Sequence, residues 1–244
     1  MSTANEIQKI TVSDISVLVV KKDIKNLHLS VLPPLGKVRV TAPFRMKDEA
    51  IRMAVVSRLS WIKKQQTKFQ NQDRQTIREY VSGESHYLLG KSYRLKLVVK
   101  KGAPNVFTKG KTLIVIEIEE NAPHEKLDKA FLKWYRENLR KISDSLLPKW
   151  EKKMDVKINK VGIRHMKTRW GSCNSVSKTI WLNLELIKKP TSCIEYVLAH
   201  EFCHVIEKKH NDKFLGLMNL HMPKWRMYKD ELNRMPLAYE KWKY

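Results

Sequence analysis

Two histidines four residues apart, with a glutamate directly after the first, could bind a metal ion and do chemistry on it. They form the string His200-Glu201-Phe202-Cys203-His204. On an α-helix, residues four apart differ by about 40° around the axis and about 6 Å along it, so both imidazoles can bind one ion. Glu201 lies about 100° further round the helix than His200, where a carboxylate can act as a base beside the ion without ligating it.

A catalytic metal site of this kind needs a third protein ligand, and His210 is the nearest candidate. Catalytic zinc takes three protein ligands and one water, and three imidazoles at a hydrolytic site favour zinc. On an unbroken helix His210 would lie about 15 Å from His200 and on a different face. The helix must therefore stop near residues 207–209 and turn back, with Asn211 placed to cap a further helix. Glu207 is a competing third ligand, or a residue that orients one.

Several other reactive or aromatic side chains are predicted to pack in the core. Cys203 lies about 100° round the helix from His204, which favours packing over zinc ligation. Trp170 and Trp181 are also predicted to pack in the core, as are the helically spaced Phe131, Trp134 and Tyr135.

The first half of the chain predicts a small β-rich unit with one long helix. Residues Ser13–Pro43 contain three strand-like runs, which predict three antiparallel strands with a turn at 33–36 between the last two. Residues Lys47–Arg78 lack glycine and proline and repeat apolar side chains at intervals of three and four, which indicates an amphipathic helix. A hairpin around Gly90-Lys91 and a strand in the run KTLIVIEIE follow.

The second half predicts a long helix, two strands and the helix that carries the histidines. Asn121 is placed to cap the long helix, and Pro148 should end or kink it. The runs VKINKVGIRHM and TIWLNLELI predict two strands joined by a turn at 174–178. Ser192 and Glu195 have the spacing of a capping box at the start of the histidine helix. We place a domain boundary near residue 121, and no internal repeat is apparent in the sequence.

The balance of charge is unusual. The 244 residues include 48 lysines and arginines against 25 aspartates and glutamates, a formal net charge of +23. Such a surface attracts nucleic acid, anionic membrane faces and acidic proteins, and a basic solvated surface without a specific partner is an equally good interpretation. Three cysteines do not make a disulfide framework, and we find no secretory signal or membrane-spanning run. A soluble cytoplasmic protein is therefore expected.

Four blocks of sequence follow one another in the second half of the chain. They are WGSC at 170–173, the WLNLELIKKP stretch, YVLAHEFCHVIEKKHNDKF, and MPKW at 222–225. Together they resemble the YgjP-like metallopeptidase family, relatives of the SprT-like and WLM zinc proteases. The earlier KVRVTAP and YLLGKSYRL segments also look like the amino-terminal part of that family. The histidine spacing is similar to that of the metzincins, except that Glu207 stands where their pattern has glycine.

The resemblance implies a peptidase of the zincin type. Its zinc ligands and catalytic glutamate would be His200, His204, His210 and Glu201. Zinc would activate a water molecule, and Glu201 would accept the water proton and pass it to the leaving amine. The developing oxyanion needs a further donor, for which the candidates are Tyr196, Arg169, His221 and Tyr228. The strand in TIWLNLE is a candidate for pairing with the substrate backbone.

The fold class expected is α+β. A β-rich domain with one long helix is predicted at 1–121, and a zincin-like, mainly helical metallopeptidase domain with a short antiparallel sheet at 122–244. The leading hypothesis is a peptidase acting on proteins or peptides, with nucleic-acid-associated protein as one candidate substrate. The alternative is a nucleic-acid- or partner-binding module with a structural zinc site. Glu201 discriminates between them, because a structural site needs no unligated glutamate and closes its fourth position.

Overall fold

The chain is described by a computed structural model over residues 6–32, 35–70, 78–166 and 169–234. These residues form two compact units, one within 6–70 and the other within 78–234. Each unit has a hydrophobic core of its own. The turn predicted at 33–36 falls partly outside the described residues, which do not include 33 and 34.

The first unit contains a four-stranded mixed sheet. Its strands are β1 (Glu6–Val12), β2 (Ile15–Lys22), β3 (His28–Leu32) and β4 (Lys37–Pro43). They lie in the order β1-β2-β4-β3, with β2 and β4 parallel and the outer pairs antiparallel. The three strands predicted within residues 13–43 are confirmed as β2, β3 and β4, and β1 precedes them. Their predicted antiparallel arrangement is wrong, because β4 inserts between β2 and β3 and pairs parallel with β2. The buried side chains of Val38, Val40 and Ala42 explain the central place of β4.

Two helices follow where the pattern at 47–78 predicts one. They are α1 (Asp48–Val56) and α2 (Leu59–Gln70), which contribute Ile51, Val55 and Ile62 to the core of the first unit. The break comes at Ser57, whose hydroxyl donates to the carbonyl of Ala54 at 3.1 Å. Residues 71–77 of the predicted helix lie outside the described part of the chain.

The second unit begins with a sheet of the same strand order. Its strands are β5 (Ser85–Leu88), β6 (Lys91–Val99), β7 (Asn105–Lys109) and β8 (Leu113–Ile118). They lie in the order β5-β6-β8-β7, with β6 and β8 parallel. The predicted hairpin is confirmed, because β5 and β6 pair antiparallel across Leu89 and Gly90. Both turn residues have positive φ angles, 51° and 79°, as a type I′ turn requires.

Helix α3 (His124–Met154) is longer than its sequence signals indicate. Pro123 occupies the N-cap position and Asn121 lies before the helix with a φ of 55°, so the predicted asparagine cap is wrong. Pro148 neither ends the helix nor begins its last turn. It lies on the exposed side, where water can satisfy the backbone carbonyl that proline leaves unbonded, while buried Trp150 holds the following turn in the core.

The two compact units divide near residue 77 and not near 121, where the sequence predicted a domain boundary. Ile114 and Ile116 of the second sheet belong to the same hydrophobic core as Phe131 of α3. A boundary at 121 would cut through that core. The turn signals there mark a loop between a sheet and the helix that packs with it.

A three-stranded sheet follows α3. Its strands are β9 (Lys160–Arg164), β10 (Gly171–Asn174) and β11 (Thr179–Asn183), in the order β10-β11-β9. Strand β11 pairs antiparallel with β10 across residues 175–178 and parallel with β9. The predicted short antiparallel sheet is therefore wrong in its pairing, because the segment from Gly171, and not the VKINKVGIRHM run, is the partner across that turn. A four-residue strand with few apolar side chains leaves too short an alternation to recognise.

Helices complete the second unit. After a 3₁₀ helix (Leu184–Lys188) come α4 (Thr191–Ile206), α5 (Asp212–His221) and α6 (Trp225–Arg234). The predicted capping box of α4 is wrong, because Glu195 accepts hydrogen bonds from Lys149 Nζ and Trp150 Nε1 instead.

The α+β fold class is confirmed. Within the described ranges no helix is both long enough and apolar enough to span a bilayer.

Asn183 ties the end of β11 to the loop that follows β9. Its side chain is buried, and its amide donates to the carbonyls of Met166 and Arg169 at 2.8 Å each. Its side-chain oxygen accepts from the backbone amides of Met166 and Glu185. One carboxamide therefore joins Met166 and Arg169 to the end of β11, and the backbone amide of Asn183 adds a hydrogen bond to the Trp170 carbonyl.

We predict that Asn183→Ala lowers the free energy of unfolding by about 1–3 kcal/mol, because partly buried backbone groups lose their partners. Urea unfolding followed by circular dichroism measures the change. Asn159→Ala is the control, since Asn159 is exposed and its amide donates a single hydrogen bond to a backbone carbonyl. Equal unfolding midpoints for the two variants would contradict the role assigned to Asn183.

Candidate metal centre

Helix α4 positions His200, Glu201 and His204 on a firmly held element. Apolar residues occupy most of its surface, as expected for a buried helix, and Leu198 and Phe202 are fully buried. The two imidazoles project from the side that borders open space, with ring centroids 4.8 Å apart. The prediction that His200 and His204 project from the same side of one helix is therefore confirmed. Burial of the apolar side of α4 leaves this side for the two histidines.

The chain reverses directly after α4. The helix ends at Ile206, and Glu207 has extended backbone angles of φ −136° and ψ 115°. Asn211 then caps α5, its side-chain oxygen accepting from the backbone amide of Phe214 at 3.1 Å. The predicted stop and the predicted asparagine cap are both confirmed. This bend carries His210 back towards the end of α4.

Three imidazoles converge as a result. One nitrogen from each of His200, His204 and His210 lies within 4.8 Å of the other two, in a group that could hold a metal ion. The Nε2 atoms of His200 and His210 are 3.1 Å apart. Phe214 packs beside all three rings, with centroid distances of 4.6–4.9 Å. An apolar ring on one side limits the directions in which the imidazoles can turn.

Glu207 contacts this group through its backbone. Its carbonyl lies 3.1 Å from His204 Nδ1, so a proton on Nδ1 is donated to it and Nε2 is left to bind a metal. The Glu207 carboxylate accepts from the backbone amide of Lys209, which lowers its pKa. Among the described residues, Glu207 is not part of the group whose ligand atoms converge. The geometry thus favours an orienting role for this residue.

Burial favours the neutral form of His200 and His204. It lowers the pKa of His200 to about 3, and the neighbouring rings of His204 and His210 act in the same direction. Burial also lowers the pKa of His204, although the hydrogen bond to the Glu207 carbonyl opposes this. Neutral imidazole is the form that ligates metals.

Glu201 is buried beside the histidines and packs against a glycine of β10. A Cβ atom at Gly171 would lie 2.6 Å from Glu201 Oε1 and 2.9 Å from a methyl carbon of Val197. Burial raises the pKa of Glu201 to about 8, while the positive charge of Arg169 acts to lower it. Sequence reasoning singled out Glu201 but not Gly171, although the WGSC block contained the signal of a close backbone approach.

An open cleft of about 820 Å³ borders the three histidines and Glu201. All four residues of β10 line it, as do Ser175 and Val176 of the turn to β11. Strand β10 is an edge strand, whereas β11 has neighbours on both sides. The expectation that TIWLNLE presents a free edge is therefore wrong, and the edge beside the cleft belongs to β10.

Two of the four candidate oxyanion donors lie at the cleft. Tyr196 and Arg169 line it, and burial raises the pKa of the Tyr196 phenol to about 12. His221 ends α5 and Tyr228 lies on α6, and neither is among the described residues that line the cleft. Cys203 points elsewhere, since its Sγ contacts Met218 Sδ at 3.4 Å within the core.

Two solved structures match this chain at low similarity. The metallopeptidase zymogen of Pyrococcus abyssi abylysin is 19% identical, with a TM-score of 0.35, over 38% of this chain and 98% of its own. The zymogen of Methanocaldococcus jannaschii jannalysin is 20% identical, with a TM-score of 0.32, over 38% of this chain and 92% of its own. The comparison with curated proteins gave no significant match.

The family model described as "YgjP-like, metallopeptidase domain" matches residues 25–235. The match includes every block on which the sequence resemblance rests, and it covers both compact units in most of their length. The chain belongs to the YgjP-like metallopeptidase family.

Proposed function

We propose that this protein is a zinc-dependent peptidase in which Glu201 is the general base. The ligands of the metal would be His200, His204 and His210. The observation that carries the proposal is the convergence of three imidazoles at an open cleft, with one buried carboxylate beside them. Membership of a metallopeptidase family supports the same reaction class.

The donor set fits zinc. Imidazole nitrogens lie about 2.0–2.1 Å from a bound zinc ion, which separates two of them by roughly 3.3 Å in a tetrahedron. The 3.1 Å between His200 Nε2 and His210 Nε2 is close to that value. The hydrogen bond from His204 Nδ1 to a backbone carbonyl is the kind of contact that orients a metal-binding histidine.

Glu201 is suited to moving protons during hydrolysis. Zinc bound here would supply Lewis acidity, which makes water nucleophilic near neutral pH and polarises a peptide carbonyl. The Glu201 carboxylate would accept the proton of the attacking water and deliver it to the leaving nitrogen. Burial raises the pKa of Glu201, whereas the positive charges of Arg169 and of a bound zinc ion would lower it and favour the carboxylate form that accepts the proton.

Tyr196 and Arg169 are the side chains we propose for stabilising the oxyanion. Both line the cleft, and the raised pKa of Tyr196 keeps its hydroxyl protonated as a donor. Arg169 brings a permanent positive charge, and its loop is held by Asn183. Donors fixed before the reaction stabilise developing charge without reorganisation.

Strand β10 is the element we propose for holding the substrate. Its residues line the cleft, and its pairing with β11 occupies one of its two edges. An extended peptide could therefore add to the sheet along the other edge, through backbone hydrogen bonds. Protein or peptide in an extended conformation is the substrate class that such an edge accepts.

The alternative function is a binding module with a structural zinc site. A structural site has four protein ligands and no open position. Here three imidazoles converge beside an open cleft, and Glu201 is buried there without belonging to the ligand group. These features favour catalysis. The net charge of +23 makes protein bound to nucleic acid a candidate substrate.

We predict that Glu201→Gln lowers peptidase activity by about 10²–10⁴-fold while zinc content stays the same, because the amide cannot accept the water proton. Hydrolysis of labelled casein and zinc analysis of the purified protein measure the two effects. Glu137→Gln, at an exposed residue of α3, is the control and should keep full activity. Unchanged hydrolysis by the Glu201 variant would exclude this base.

We predict that His210→Ala weakens zinc binding at least about tenfold, because a three-ligand site loses one ligand. Competition with a chromophoric chelator measures the affinity. His28→Ala removes an exposed histidine of the first unit and should bind zinc as the unaltered protein does. Equal affinities for the two variants would mean that residue 210 is not a ligand.

We predict that Gly171→Ala lowers kcat by about tenfold to a hundredfold, because the added methyl must displace the Glu201 carboxylate. Zinc content should not change. Gly216→Ala is the matched control, since a Cβ there would meet no atom within 4 Å. Steady-state kinetics on one peptide substrate measure kcat for the two variants. A normal kcat for Gly171→Ala would show that activity does not need the Glu201 carboxylate in its present position.

A further inference from the structure

The sheet β10-β11-β9 has one face in the core and one face outside it. Val161, Ile163, Ile180 and Leu182 are buried on the inner face. The alternating residues form the opposite face, which we call the outer sheet face, and all of them except the buried Gly162 are partly or fully exposed. It consists of Lys160, Gly162 and Arg164 of β9, Thr179 and Trp181 of β11, and Ser172 and Asn174 of β10.

Trp181 lies at the centre of the outer sheet face. It pairs in register with Ser172 on one side and Gly162 on the other. A Cβ at Gly162 would lie 2.4 Å from carbon atoms of the indole ring, so the ring rests directly on the glycine backbone. Trp170 packs against the core of the second unit, whereas Trp181 is partly exposed and is not among the described residues that do so. The prediction that Trp181 is a core aromatic is wrong.

Two cations flank the indole ring. The guanidinium carbon of Arg164 lies 4.9 Å from the ring centroid and Lys160 Nζ lies 5.7 Å from it. Arg164 also donates to Ser172 Oγ at 3.4 Å. Both basic residues are exposed.

The charged side chains of this region, with histidine counted as neutral, are all positive. Residues 156–183 include six lysines and arginines and no aspartate or glutamate. The outer sheet face therefore presents cations and hydroxyl groups around an aromatic ring, without a carboxylate on any of its three strands. A ligand that matches it must bring both negative charge and flat unsaturated groups.

We propose that the outer sheet face binds single-stranded nucleic acid. A base would stack against Trp181, and the adjoining phosphates would lie at Lys160 and Arg164. Aromatic rings on an open sheet, flanked by cations, are a general solution for unpaired bases. An acidic peptide would use the cations but not the ring. The proposal does not depend on the proposed peptidase activity, because none of its residues is a metal ligand or the general base.

Fluorescence anisotropy with a labelled 20-nucleotide single strand, as DNA and as RNA, tests the proposal. We expect Lys160→Gln/Arg164→Gln to weaken binding at least about tenfold, and to reduce the slope of log affinity against log salt by about 1.4. The matched control is Lys109→Gln/Lys111→Gln, which removes the same charge from exposed residues beside β7 and should change affinity less than about twofold.

Substitution of the ring tests stacking separately from charge. Trp181→Leu should weaken binding about tenfold, whereas Trp181→Phe keeps a ring and most of the affinity. Equal loss of affinity in the two double variants would overturn the proposal, because it would reduce the effect to net charge. Absence of binding to either strand, or binding to phosphatidylserine vesicles in its place, would overturn it as well. A far-ultraviolet circular dichroism spectrum equal to that of the unaltered protein shows that each variant is folded.

Discussion

The reversal of the chain after α4 is the constraint on which the convergence of the three imidazoles depends. Glu207 leaves the helix in an extended conformation, and its carbonyl also faces Nδ1 of His204. One residue therefore ends the helix and orients a ring that the helix carries. Had the helix continued, His210 would lie about 15 Å from His200 along the axis. Packing of Phe214 against all three rings links the same bend to α5.

Most of the geometry of the candidate metal centre could be predicted from the sequence, because its parts are local. A four-residue interval on a helix, a stop and an asparagine cap are decided within a few residues, so His200, His204 and Asn211 could be read directly. The strand order could not, since it depends on which strands bury most surface between distant segments. Gly171 shows the limit clearly, because its importance comes from Glu201, thirty positions later, packing on its backbone.

The two four-stranded sheets share an arrangement that the sequence does not reveal. In each, an antiparallel pair comes first, the fourth strand lies parallel to the second, and the third strand occupies an edge. The residues of the two sheets differ, but alternation of buried and exposed positions is enough to support either one.

Pro148 makes a related point for helices, because a residue that breaks a helix in isolation is tolerated where buried Trp150 holds the next turn.

The three imidazoles are not held equally. Two belong to a helix buried in the core, whereas His210 belongs to an exposed stretch between α4 and α5. A short solvent-facing stretch loosens far more often than a core helix does. If a cation binds here as proposed, the local opening of these few residues would set its residence time without unfolding of the rest of the unit.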